Sequence, residues 1–108
     1  MKMLNVTLAA LAVAGFSATA MAADAPGKAV FMKNGCIACH TIDGAGGKVG
    51  PNLEKVGAKG KDYIKESILT PNKVVVQGFA PNIMPQNFKD KIQGKEFTDL
   101  VDWLASHK

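Results

Sequence analysis

Cys36-Ile37-Ala38-Cys39-His40 is the stretch whose reading decides the rest. Two thiols with two residues between them, followed at once by an imidazole, form C-x-x-C-H, the signature of covalent c-type haem attachment. On a single turn of chain, thiols at this spacing can each add to one of the two vinyl groups on a porphyrin edge, forming thioethers. The residue after the second cysteine then stands over the macrocycle, where the His40 imidazole reaches the iron. Competing chemistries fit the residues less well. A zinc site needs four ligands, and beyond Cys36, Cys39 and His40 the chain offers only His107 as a further histidine or cysteine. A thioredoxin-type redox pair needs a strand before the motif and a parallel sheet around it, and neither is suggested by the sequence. A disulfide between cysteines this close would close a tiny loop and stabilise little.

Upstream of the motif, Met1-Lys2-Met3 is followed by a mostly apolar run from Leu4 to Phe16 and then by Ala20-Met21-Ala22. A positive start, a short apolar stretch and a small-x-small site read as a secretory signal peptide over residues 1–22, cleaved after Ala22. The alternative, a retained anchor, would need roughly 20 apolar residues, and this run is shorter and broken by Gly15. The expected product is a soluble periplasmic domain over residues 23–108, with no stable membrane insertion after cleavage. A domain so short has a marginal core, and aromatics are only 6% of the chain, so burial of a large apolar cofactor is expected to supplement it.

The charge is +4 with lysine as the sole strong base, since the sequence contains no arginine. Nucleic acid is disfavoured, because clustered arginine and lysine with stacking aromatics are missing. Docking of lysines onto an acidic protein partner is compatible with the balance.

Hydrophobic periodicity predicts an all-α fold of three or more short helices wrapped around one haem. Residues 27–34 form a short helix with Val30 and Phe31 on its apolar side, ended by Gly35. Residues 41–60 read as loop, punctuated by glycines. A second helix spans 62–69, with Ile64 and Ile68 one turn apart and Pro71 beyond its end. From Pro71 to Phe88 the chain is irregular, and Val74-Val75-Val76 is not expected to form a strand for want of a pairing partner. The strongest helix runs over about 95–106, where Phe97, Leu100, Val101 and Leu104 recur at helical spacing with Trp103 beside them.

The iron needs a sixth ligand or an open position. After removal of the leader the candidates are Met32, Met84 and His107. Met32 sits four residues before Cys36, on the segment that approaches from the His40 side, and is expected to pack in the core. His107 lies near the terminus and is expected to be solvated. Met84, far along the chain and followed by Pro85, is held as a weak thioether ligand would need to be. His40 and Met84 are the axial pair so obtained. Such a pair fills both axial sites and raises the reduction potential relative to two histidines, which favours single-electron transfer over catalysis. A haem enzyme or gas sensor with a labile sixth ligand remains an alternative, as does a haem subunit of a larger oxidoreductase complex.

Gly27-Lys28-Ala29-Val30-Phe31, Cys36 to His40, Gly50-Pro51-Asn52-Leu53, Asn82-Ile83-Met84-Pro85 and the terminal Leu100, Trp103 and Leu104 together resemble the class I c-type cytochromes, small monohaem bacterial carriers. Ser67 to Asn72 with Gly78-Phe79 also resembles the haem domain fused to some oxidase subunits. The resemblance implies the cytochrome c fold and one haem c. It implies that the Pro51 carbonyl accepts a hydrogen bond from His40 Nδ1–H, that Leu53 packs on the haem, and that Phe31 meets Trp103 where the first and last helices cross. It further implies that Asn87 donates to the Met84 sulfur, with turn capping as its other reading. In place of the missing arginine, Tyr63, Lys55 and Gln77 are candidates for the propionates. Lys33, Lys48 and Lys89 are candidates for a docking rim toward redox protein partners, met by a monomer.

Overall fold

A computed structural model describes residues 25–108; the expected leader and its cleavage after Ala22 lie outside the described residues. Four helices form the framework: α1 (Pro26–Lys33), α2 (Lys61–Leu69), α3 (Phe88–Lys91) and α4 (Gly94–Ala105). The only strands among the described residues are β1 (Thr41–Ile42) and β2 (Ala45–Gly46), an antiparallel pair with Thr41 opposite Gly46 and Ile42 opposite Ala45.

The start of α1 is set by Pro26, whose missing N–H costs nothing in the first turn, and Lys33 faces the carbonyl end of the helix. Asn34 Nδ2 donates to the Val30 carbonyl at 2.8 Å, and Gly35 then turns the chain with φ of 74°. In α4 the apolar stripe buries Leu100, Val101 and Leu104, and α1 crosses it with Val30 and Phe31 buried. The crossing depends on Gly27. A Cβ there would lie 2.1 Å from the Asp99 carbonyl oxygen and 2.3 Å from Trp103 Cβ, so any side chain would force the helices apart. Phe31 and Trp103 pack edge to face across the same contact, centroids 5.2 Å apart and planes at 60°. Ile64 and Ile68 of α2, Ile42 of β1, Phe88 of α3 and Ile92 complete one continuous core.

Several expectations are corrected. The 41–60 stretch is not wholly loop. Asp43 and Gly44, at φ of 50° and 77°, make the Asp-Gly turn that closes β1 on β2, and Val56–Lys59 forms a short 3-10 helix. The irregular segment ends at α3, a helix too short to announce itself by period. Met32 does not pack in the core: it is 49% exposed, because the face of α1 that meets α4 is the one carrying Val30 and Phe31. His107 is not a solvated end. Its ring packs edge-on against Trp103 at 4.7 Å, Nδ1 lies 2.8 Å from the Trp103 carbonyl oxygen and Nε2 lies 3.1 Å from Asp43 Oδ1. Its own carbonyl accepts the Gly57 N–H at 2.6 Å, which ties the chain end to the 3-10 helix. Val74–Val76 forms no strand, as expected, and Val74 and Val75 are exposed.

Candidate cofactor site

The left-handed Gly35 breaks α1 and starts a tight 3-10 turn, Cys36–Ala38. Cys39 N–H and His40 N–H both donate to the Cys36 carbonyl, at 3.2 and 3.0 Å, so the motif coils on itself rather than extending. This coil puts Cys36, Cys39 and His40 on the wall of a single cavity of about 480 Å³. That volume is within the usual range for a bound cofactor, and the wall is largely apolar, with Leu53, Val56, Phe79 and Phe88 among its side chains.

Neither cysteine is disulfide-bonded, and both are half-buried. Burial pushes the Cys36 thiol up to about 11; a backbone hydrogen bond at Cys36 opposes the rise and the neighbouring Cys39 adds to it. A thiol-exchange cysteine is tuned the other way, toward the thiolate, so the microenvironment argues against a redox pair. Among the described residues no cluster of three or more histidines, cysteines or acids is placed to hold a metal ion.

His40 is buried, at 9% exposure, and its Nδ1–H donates to the Pro51 carbonyl at 2.7 Å. The bond fixes the tautomer and leaves Nε2 as the basic nitrogen. Pro51 is brought to the ring by two ties: Gly50 N–H donates to the Cys39 carbonyl at 2.7 Å, and Leu53 N–H donates to the Thr41 carbonyl at 2.9 Å. Gly50 must be glycine here. Its Cβ would stand 2.6 Å from His40 Cε1, on top of the imidazole.

Met84 is half-buried, packs against the core and lines the same cavity as His40, although the two are far apart in sequence. Met32 and His107 are not among the residues lining it. Pro51 and Leu53 line it as well. Asn87, expected at the Met84 sulfur, is not brought in by the fold. It is exposed and lies outside the cavity wall, because it opens α3, where its carbonyl accepts the Asp90 and Lys91 N–H groups at 3.1 and 3.3 Å; its side chain makes no capping bond. Of the propionate candidates, Tyr63 and Lys55 line the cavity and Gln77 does not. Sequence reasoning missed Lys59, which also lines it and holds its ammonium 5.0 Å from the Tyr63 ring centroid. It missed Asn72 and Asn82 too, both on the wall.

Compared with protein families, residues 25–108 match the model for Cytochrome c. The chain belongs to the cytochrome c family. No curated protein and no solved structure matched it.

This cytochrome c is a haem-binding electron-transfer protein with an all-α fold, and its haem c is covalent, carried by the Cys36-x-x-Cys39-His40 motif. The residues fit the group: two free thiols, an imidazole with its tautomer fixed and an apolar wall converge on one cavity. Among the described residues no acidic side chain lines that cavity, and its charged groups are the two lysines, Lys55 and Lys59, which suit a cofactor bearing two carboxylates.

Proposed function

We propose that this cytochrome c is an exported, periplasmic one-electron carrier in which His40 Nε2 and the Met84 sulfur hold the haem iron. Bound haem supplies the Fe(III)/Fe(II) couple. The chain's part is to fix the two ligands and to keep water from the metal. The observation that carries the reading is the convergence of His40, held through Nδ1 by Pro51, and Met84 on one cavity wall, with no further histidine or methionine among the described residues lining it. A thioether favours Fe(II), which suits a carrier working at a relatively high potential. No helix among the described residues is long and apolar enough to cross a membrane. The protein is read as a monomer that meets its donor and acceptor transiently and binds no nucleic acid. Lys48 and Lys89 are exposed and take part in no ion pair among the described residues, and Lys33 shares its charge with Glu96 at 3.3 Å. These lysines form the docking rim for acidic partners, in encounters weakened by added salt.

An optical redox titration of the haem-loaded protein, repeated under carbon monoxide, tests the proposal. One single-electron wave is expected, and the Fe(II) spectrum at neutral pH is expected to be unchanged by carbon monoxide. Ready carbon monoxide binding would point instead to a sensor or enzyme with an open sixth position.

A further inference from the structure

Residues 74–86 carry Met84 and contain no helix or strand. Within this stretch Phe79 N–H donates to the Val76 carbonyl at 3.1 Å, and Gln86 Nε2 donates to Asn82 Oδ1 at 3.5 Å; both bonds are internal to it. Among the described residues, its hydrogen bonds to the rest of the chain all run between Asn82 and Asn72. Asn82 N–H donates to Asn72 Oδ1 at 2.9 Å, and Asn72 Nδ2 donates back to Asn82 Oδ1 at 2.7 Å. The Asn72 amide thus pairs with residue 82 through both of its polar atoms, as a peptide group pairs in a sheet. Asn82 holds the left-handed conformation, φ 62°, that presents its N–H and its side chain together, a conformation asparagine tolerates better than most residues.

The other half of the clasp is rooted. Asn72 follows α2, whose Ile64 and Ile68 are buried in the core, and the turn between them is closed by Thr70 N–H on the Glu66 carbonyl, Lys73 N–H on the Thr70 carbonyl and a Lys73–Glu66 ion pair. Met84 stands two residues beyond Asn82 and directly before Pro85, so a fix on residue 82 limits where the sulfur can go.

We propose that Asn72 is a positioning residue for Met84: through its two-way clasp on Asn82 it sets how firmly the thioether is presented to the cofactor, and hence how readily an external ligand displaces it. This rests on Met84 being the sixth ligand. A thioether is a weak ligand, so the ordering of its loop weighs heavily in the competition.

The test is an imidazole titration of the ferric, haem-loaded protein, following the shift of the Soret band as imidazole binds the iron, in the parent and in Asn72→Ala, Asn72→Asp, Asn82→Gly and Met84→Ala. Asn72→Ala is expected to raise the apparent imidazole affinity roughly fivefold, as two exposed hydrogen bonds at the low end of their net worth would give. Asn72→Asp, which keeps an acceptor for the Asn82 N–H, should recover most of the parent value. Asn82→Gly, which keeps the backbone bond and loses the amide pair, should fall between, and it carries the test if Asn72→Ala fails to fold. Unchanged affinity in Asn72→Ala, or in Asn82→Gly if that variant carries the test, alongside a large rise in Met84→Ala, would overturn the clasp and leave the ligand assignment standing. Unchanged affinity in Met84→Ala would overturn both.

Discussion

Replacing Cys36 and Cys39 together with alanine is expected to give a chain that carries no covalent haem and has the circular dichroism of an unfolded polypeptide. Without thioethers, the cofactor would be held only by axial bonds and packing. The polypeptide alone has little in reserve, since the core among the described residues is ten buried apolar side chains. Leaving an apolar cavity of about 480 Å³ without the haem forfeits the packing its lining would make, in a domain whose whole stability is on the order of 10 kcal/mol. Collapse of the 74–86 segment would recover part of that and lose the site. A double variant that kept a native near-ultraviolet signal would show that α1, α2 and α4 form a self-sufficient core.

The second large effect is expected at Met84. Met84→Ala should abolish the sulfur-to-iron charge-transfer band, open the iron to carbon monoxide, and lower the reduction potential. A thioether preference for Fe(II) of about a hundredfold, at about 59 mV per tenfold for one electron, sets the drop at roughly 100 mV or more. Met32→Leu is the matched control. Its side chain is 49% exposed on α1 and lies off the cavity wall, so spectrum and potential should both stay put. An unshifted potential in Met84→Ala would remove the His/Met assignment while leaving the haem attachment intact.

What the sequence made legible was whatever a short contiguous pattern could specify. The attachment motif needs only five consecutive residues, and its geometry is closed locally by hydrogen bonds onto the Cys36 carbonyl. The helices α1, α2 and α4 followed from period and punctuation, and their ends fall within a residue or so of expectation. Pro51, Leu53 and the Phe31–Trp103 contact came through family resemblance rather than pattern; the fold carries the His40–Pro51 bond and the Phe31–Trp103 contact and puts Leu53 on the cavity wall.

The misses share a cause, which is contact between residues distant in sequence. His107 was read as a frayed end because nothing near it in the chain reveals that Asp43 and Gly57 will come to meet it. Met32 was assigned to the core as a residue on the segment that approaches the haem from the His40 side, yet neighbours on a helix point about 100° apart, and the face that meets α4 is the one carrying Val30 and Phe31. The Asn72–Asn82 clasp joins two irregular stretches that have no period to read. Lys59 was overlooked because its place on the cavity depends on the 3-10 helix Val56–Lys59 that delivers it beside Tyr63. Asn87 shows the converse, a residue placed by analogy that α3 claims for its own first turn.

The most direct test of the central claim is the intact mass of the protein purified from its exporting host, with fragmentation across the Cys36 to His40 segment. The account predicts a chain beginning at Ala23 and heavier by one haem, with both cysteines modified in the same peptide. A mature chain of unmodified mass would contradict it, whatever colour the preparation had.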